Sequence, residues 1–289
     1  MKKNSKKGFT VLELAVVIAI FGLLASIVLI AVRGSKERAE IASKLQTAAS
    51  FHHILAGSLV GEWKFNEGSG TVVADTSGNG NNATASNCAW VDGAAPALGK
   101  ALDFNGSTSV VKTDTANSSL NLAGKSVTIS AWVKFDFNSL QQGSGYRSIY
   151  DYNTSLTAGR YTLYKSGAEG SDTVGNKLHM RIGNRYINGN TAFSAEKWYF
   201  LVGTWDNSKK IITVYVDGKK DNEGSRDPTW SLGNLVTAQI GAATASPPAG
   251  CLDAVIDEVR VYSTALTSYQ IQRLYAEGAE RRGIAVDGR

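Results

Sequence analysis

A single acid stands at the head of the longest apolar stretch in the chain: Glu13, between Leu12 and Leu14, begins a segment that then runs without a charge to Val32. A carboxylate in hydrocarbon is penalised by roughly 2.5–3.5 kcal/mol even on insertion scales, so an acid kept there implies a partner of opposite charge. Cleavage after Gly8 would supply one, because the new α-amino group on Phe9 has a pKa of about 7.7–8.0 and is mostly charged at neutral pH. Phe9 and Glu13 are about one helical turn apart, so in helices packed with a stagger the amine of one copy can meet Glu13 of the next. The chemistry this spacing predicts is assembly.

The remaining polar groups offer less. The run Asp75-Thr-Ser-Gly-Asn-Gly-Asn-Asn82 sets side-chain oxygens at alternate positions, the hard ligands that calcium takes. The alternative is a glycine-rich turn whose aspartate caps backbone amides. Asp257 shares strand parity with Val255, Val259 and Val261, which places it on an inward face where it needs hydrogen bonds or a metal. Asp257 and Glu258 are adjacent and therefore point to opposite faces of a strand, which speaks against a catalytic carboxylate pair. No Ser-His-Asp or Cys-His arrangement stands out, and no enzyme is expected. His52 and His53 cannot share a helix face, and His179 reads as structural. Cys88 and Cys251 are too few and too distant for zinc; a disulfide between them is expected if the head folds in an oxidising space, two buried free thiols being the other reading.

Elements must position these groups. Leu14 to Val32 would span about 28 Å as a helix, close to the roughly 30 Å hydrocarbon core of a bilayer. Lys2, Lys3, Lys6 and Lys7 precede it, which holds the N-terminus on the cytoplasmic side. Helical periodicity continues through Ile41, Leu45 and Ala48 to Ile54 and Leu55, and Gly57 and Gly61 break it. Strand patterns follow near 61–65, 101–104, 109–112, 127–135, 148–152, 160–164, 177–182, 198–205, 211–216, 238–240 and 254–262, and Asp217-Gly218 is a hairpin signal. The predicted fold class is α+β, a long N-terminal helix followed by an antiparallel β-sandwich. One short helix is expected after Thr267, whose capping-box partner is Gln270. The formal net charge is +5, but the first eight residues carry four lysines and no acid, so charge gives no argument for nucleic acid. Trp90, Trp132, Trp205, Trp230, Tyr146, Tyr150 and Tyr152 would stack on sugars if exposed, and are assigned to the core until exposure is shown.

Two resemblances follow from these residues. Lys-Gly-Phe-Thr-Val-Leu-Glu-Leu, behind a lysine-rich leader and ahead of an apolar helix, resembles the class III signal of type IV pilins and pseudopilins. The resemblance implies cleavage between Gly8 and Phe9 by a prepilin peptidase, methylation of the Phe9 amine, and a docking role for Glu13. Many major pilins carry a proline in the apolar segment; this chain has none there. The ordered blocks at 61–70, 75–80, 101–106, 127–133, 198–205, 214–218, 256–262 and 265–267 resemble the laminin-G-like, concanavalin-A-like jelly roll. That second resemblance implies calcium between an early loop and a late-strand aspartate, here Asp75 and Asp257.

The expected organisation is a leader over 1–8, a transmembrane and then amphipathic helix over 9–57, a jelly-roll head over 58–277 and a flexible tail over 278–289. The chain would begin as a single-pass inner-membrane precursor and end in a helical surface filament of identical or related subunits, its head meeting a glycan or a protein. A type II secretion pseudopilin and a membrane-tethered carbohydrate-binding protein that never polymerises are the alternatives.

Overall fold

The computed structural model describes residues 10–24, 26, 46, 50–51, 53–95, 98–114, 118–136, 145–152, 160–166, 175–228, 237–243 and 250–286. The chain divides into two compact units, residues 1–57 and 58–289. In the first, residues 11–24 and 53–56 are helical. Among the described residues no helix is long and apolar enough to cross a membrane; most of the predicted span beyond residue 24 lies outside them.

The second unit is a sandwich of two antiparallel sheets. Chain order gives β1 (Leu59–Trp63), β2 (Val72–Val73), β3 (Ala83–Ser86), β4 (Ala89–Asp92), β5 (Lys100–Asn105), β6 (Val110–Thr113), β7 (Val127–Phe135) and β8 (Tyr146–Tyr152). Then come β9 (Tyr161–Ser166), β10 (Lys177–Ile182), β11 (Arg185–Ala192), β12 (Trp198–Asp206), β13 (Ile211–Val216), β14 (Lys219–Ser225), β15 (Gln239–Ile240) and β16 (Asp253–Tyr262). The first sheet is ordered β14-β13-β12-β7-β16-β5-β4, with β1 also on β16, and the second β11-β10-β9-β8-β15-β6-β3-β2. Consecutive strands repeatedly change sheets, as β5 to β6 and β7 to β8 do.

Alternation explains the core. Val127, Ile129, Ala131, Val133 and Phe135 of β7 all enter one cluster with Leu163, Leu178, Met180 and Ile182 from the opposite sheet. Gly203 of β12 is a point of close approach between the sheets, since a Cβ there would lie 2.7 Å from Met180 Sδ and 2.9 Å from Leu163 Cδ1. Asp217 and Gly218 both have positive φ, 50° and 74°, the backbone a tight two-residue hairpin requires.

The C-terminal helix, Ser268–Arg281, packs on the outer face of the first sheet. It has the expected capping box: Gln270 N–H donates to Thr267 Oγ1 at 3.3 Å, and Thr267 N–H to Gln270 Oε1 at 2.8 Å. The flexible tail expected from residue 278 is not what the structure shows. The helix runs on to Arg281, and Gly278, Ala279 and Arg282 are buried. Gly278 reads as a helix stop in sequence, yet here it is the point where helix meets sheet: a Cβ would sit 2.7 Å from the Trp132 ring. Gly278→Ala is therefore expected to destabilise the head by about 1–3 kcal/mol through overpacking, against the gain that alanine gives an exposed helix. A thermal midpoint equal to or above that of the parent would refute this.

Five strands lie outside the predicted strand stretches: β2, at the edge of the second sheet, and four more. β3, β4, β11 and β14 are short, polar or glycine-bearing, and all but β3 lie at sheet edges. The β11 edge is closed by side chains of β14 and its flank: Asp221 accepts from Asn190 N–H (2.7 Å) and Thr191 N–H (3.1 Å), Asn222 Nδ2 donates to Asn188 O (2.7 Å), and Arg226 Nε to Tyr186 O (3.2 Å). Backbone groups that would otherwise template another strand are thus satisfied within the molecule.

Candidate functional site

The first candidate is the N-terminal motif. Gly8 and Phe9, the predicted cleavage pair, lie outside the described residues. Thr10 and Glu13 lie within them and form a reciprocal cap. Thr10 N–H donates to Glu13 Oε2 at 2.8 Å, Thr10 Oγ1 donates to the same oxygen at 2.9 Å, and Glu13 N–H donates to Thr10 Oγ1 at 3.3 Å. This is a capping box, legible in sequence as Thr-x-x-Glu and missed because the acid was read only as a charge in oil. The same carboxylate therefore closes its own helix end while uncommitted to a neighbour.

Asp75 and Asp257, the expected calcium pair, each bond to groups of the protein itself. Asp75 is spent on amides and a hydroxyl: it accepts from Glu62 N–H, Ser77 N–H, Ser77 Oγ and Asn81 N–H, each at 2.9 Å. This is the amide-capping turn that stood as the alternative. Asp257 has a different partner, Arg282, through a salt bridge of 2.5 Å. Its inward placement fails because β16 carries a bulge between Asp257 and Arg260, with Glu258 at φ 49°. Ala254 and Ile256 before the bulge and Val259 and Val261 after it face the core, so parity cannot be carried across it. Glu258 is bonded to Arg282 as well, at 3.3 Å, which corrects the expectation that neighbouring acids face apart. Among the described residues no three metal-ligating side chains converge.

Asp257 and Glu258 belong to a buried network of three acids and three arginines. Glu258 also meets Arg260 and Arg281, each at 2.9 Å, and Arg260 meets Glu62 of β1 at 2.8 Å. Burial pushes Asp257 up to about 7, with Arg282 only partly offsetting it. Burial also opposes ionised Glu258, but Arg260, Arg282 and Arg281 outweigh it and hold that acid at about 2. The Arg282 guanidinium lies 4.1 Å from the centroid of the Trp132 ring, and Trp132 stacks on Tyr275 at 5.9 Å. The arrangement clamps the C-terminal helix to β16; it holds no uncovered acid for catalysis.

The expected disulfide is not formed: neither Cys88 nor Cys251 is joined in a disulfide. Cys88 Sγ lies 3.3 Å from Ser86 O, and burial pushes this thiol up to about 11; burial raises Cys251 too. Cys88 lies between β3 and β4, and Cys251 in the segment entering β16, an interior strand of the first sheet.

The second candidate lies on the outer face of the second sheet. Leu163, Leu178 and Met180 point to the core, so by alternation Tyr164 and His179 point away. Register sets Ser148 opposite Tyr164 and Tyr164 opposite His179. The rings form a row across four strands: Tyr146 edge-on to Tyr164 at 4.9 Å, Tyr164 stacked on His179 at 4.9 Å, and His179 tilted to Tyr186 at 6.5 Å. Tyr146 and Tyr186 are exposed, while Tyr164 and His179 are buried. His179 is thus a packing residue, as expected. The adjacent row carries Asp151, opposite Thr162, and Arg160 Nε donates to both Asp151 Oδ1 (3.2 Å) and Thr162 Oγ1 (2.9 Å). Asp151 and Thr162 are buried, so Tyr146 and Tyr186 are the rings of this row that offer surface on which a sugar could stack. Among the other aromatics weighed, Trp132, Trp205, Tyr150 and Tyr152 are fully buried, Trp90 is half-buried, and Trp230 lies outside the described residues.

Comparison with known proteins agrees with both halves of this picture. Residues 3–29 match the family described as the prokaryotic N-terminal methylation motif. Residues 104–272, more than half of the chain, match the concanavalin A-like lectin/glucanases superfamily. No curated protein matches. Among solved structures, domain 4 of AbnA, a GH43 extracellular arabinanase from Geobacillus stearothermophilus in complex with arabinotriose, is similar with a TM-score of 0.56 at 20% identity, covering 75% of this chain and 98% of that one. The binding domain of Paraclostridial Mosquitocidal Protein 1 gives 0.60 at 18% identity, over 78% and 53%. The botulinum neurotoxin serotype D binding domain gives 0.56 at 14%, over 77% and 52%, so the chain spans about half of each toxin fragment. At such identities the likeness is one of fold. The chain belongs to the concanavalin A-like lectin/glucanases superfamily and carries that domain behind a prokaryotic N-terminal methylation motif of the type IV prepilin kind.

Proposed function

We propose that this protein is a subunit of a type IV pilus-like filament, processed between Gly8 and Phe9, polymerised through its N-terminal helix, and displaying its sandwich as an adhesion module. The observation that carries the reading is the N-terminal methylation motif with Glu13 four residues beyond the cleavage point, inside an apolar segment. The precursor is held in the cytoplasmic membrane by that segment and is the substrate of a prepilin peptidase. The head binds rather than catalyses: its buried acids are committed to arginines, and the outer face of the second sheet presents the exposed rings of Tyr146 and Tyr186. A glycan is the ligand class that such a face suits, and the similarity to an arabinanase domain solved with arabinotriose supports it.

The N-terminal mass of mature protein sheared from cells tests the reading. It should begin at Phe9 and carry one added methyl group. Sheared protein that still begins at Met1 removes the basis for polymerisation. Processed protein recovered only from membranes, with no surface filament, would favour a pseudopilin or a tethered binding protein.

A further inference from the structure

We infer that the cleft between the β13–β14 turn and the C-terminal helix is a second binding site, for an acidic oligosaccharide whose sugars carry carboxylates. This rests on the reading of the head as a binding module and not on polymerisation. The cleft has a volume of about 1420 Å³ and lies between the first sheet and the C-terminal helix, with Thr191 and Ala192 of β11 at its rim. That exceeds the roughly 300–1,000 Å³ of a pocket for one small molecule and leaves room for several sugar units.

Its walls bring aromatic faces to a polar lining. Trp198 stands on the strand side and Tyr269, well exposed, on the helix side, with Gln272 and Arg273 beside it. Rings on facing walls can stack on the C–H faces of sugars while amide and charged groups bond their hydroxyls. Four cations, Lys197, Lys219, Lys220 and Arg273, line the cleft against three acids, and this excess decides the class. Three acids line the cleft, and each is already spent within the protein: Asp221 accepts from Asn190 N–H and from Thr191 N–H and Oγ1, Asp217 accepts from Phe200 N–H at 2.9 Å, and Glu196 pairs with Lys134 at 3.2 Å. The cations retain donors. Lys197, 60% exposed at its side chain, lies over the Tyr199 ring and only 3.9 Å from Asp217, and the Lys220 ammonium has one close partner, Glu223. An ammonium has three donors, so a lining with spent acceptors and available donors favours a ligand rich in acceptors. A carboxylated sugar chain is such a ligand.

The walls are also held in place without a ligand. Gly218, at φ 74°, abuts Tyr275 so closely that a Cβ would lie 3.0 Å from that ring, and Asp217 N–H donates to Phe200 O at 2.9 Å. Preformed walls reduce the ordering that binding requires.

The test uses the full-length chain in detergent micelles, titrated calorimetrically with tetragalacturonate and, in parallel, with neutral galactotetraose. Tetragalacturonate should bind, more weakly as salt rises, and galactotetraose should bind at least about tenfold more weakly. Trp198→Ala and Tyr269→Ala should each weaken tetragalacturonate by about tenfold, and Lys197→Ala with Lys220→Ala should remove most of the salt dependence. Tyr269 is exposed, so its variant is expected to fold; Trp198→Phe keeps a ring where Trp198→Ala fails to fold. Equal binding of the two tetrasaccharides, no binding of either, or tetragalacturonate binding that survives both aromatic substitutions in folded protein would overturn the inference. So would loss of binding in Tyr146→Ala with Trp198→Ala inert, which places the ligand on the other sheet. Filament formation by Trp198→Ala is read separately, so failure here leaves the assembly reading standing.

Discussion

Glu13→Gln is expected to abolish surface filaments while leaving a processed protein in the membrane. Glutamine accepts the same two bonds from Thr10 that Glu13 accepts now, so the helix cap survives the change. What it removes is the negative charge, and with it the attraction to the Phe9 amine of an adjoining copy. The complementary variant, Thr10→Ala, deletes the cap at a cost of about 0.5–2 kcal/mol in helix stability but leaves the charge. Filaments should therefore persist in Thr10→Ala and vanish in Glu13→Gln. Electron microscopy of sheared material, with immunoblotting of processed protein in the membrane fraction, makes the measurement. Normal filaments from Glu13→Gln would show that Glu13 acts only as a helix cap.

Loss of the Arg282 side chain should be the most damaging single change in the head. Arg282 is fully buried, spans Asp257 and Glu258, and stacks on Trp132, so Arg282→Ala leaves two buried carboxylates short of a cation and opens a void beside the ring. Breaking a buried pair by removing one partner costs about 3–5 kcal/mol, which in a domain of this size lowers the thermal midpoint by roughly 6–20 °C. Arg281→Ala, whose side chain is about half exposed, should cost about 1 kcal/mol or less. The network also sets opposite pH dependences. Glu258 is held below its ordinary value, so its contribution is present above about 4.5 and lost as pH falls towards about 2. Asp257 is raised, so the folded state holds an extra proton between about 3.8 and 7, and stability falls as pH rises through that window. In Arg282→Ala the penalty should therefore grow from pH 5 to pH 8, because without its cation the folded Asp257 holds its proton to still higher pH. Thermal melts of the two proteins at both values would decide it, and a deficit that shrinks with pH would contradict the role given to Asp257.

The failures of sequence reading in this head have a shared cause. Alternation found β7, β10 and β13 with their full bounds, because a strand with one face in a core repeats every two residues. The same rule misplaced Asp257, because one extra residue at Glu258 resets the count and nothing in Val-Ile-Asp-Glu-Val-Arg-Val announces a bulge. The edge strands β11 and β14 are stabilised by side chains from each other and have polar faces, so they lack the apolar alternation that marks a buried strand. Gly278 and Arg282 looked like the start of a tail because a helix-breaking residue and a charge are surface signals unless something distant covers them.

By itself the sequence determined the order of parts and the chemistry of the first: a lysine-rich leader, Gly8-Phe9, an acid at the head of an apolar segment, then a turn-rich β domain. These are local properties, since charge, hydropathy and two- or four-residue spacing are written in adjacent positions. Tertiary structure alone decided the partners of Asp257 and Arg282, the separation of Cys88 from Cys251, and the cleft between Trp198 and Tyr269. Each of these relates residues far apart in the chain, and which distant groups meet is set by sheet order and register, quantities that no short stretch of sequence contains.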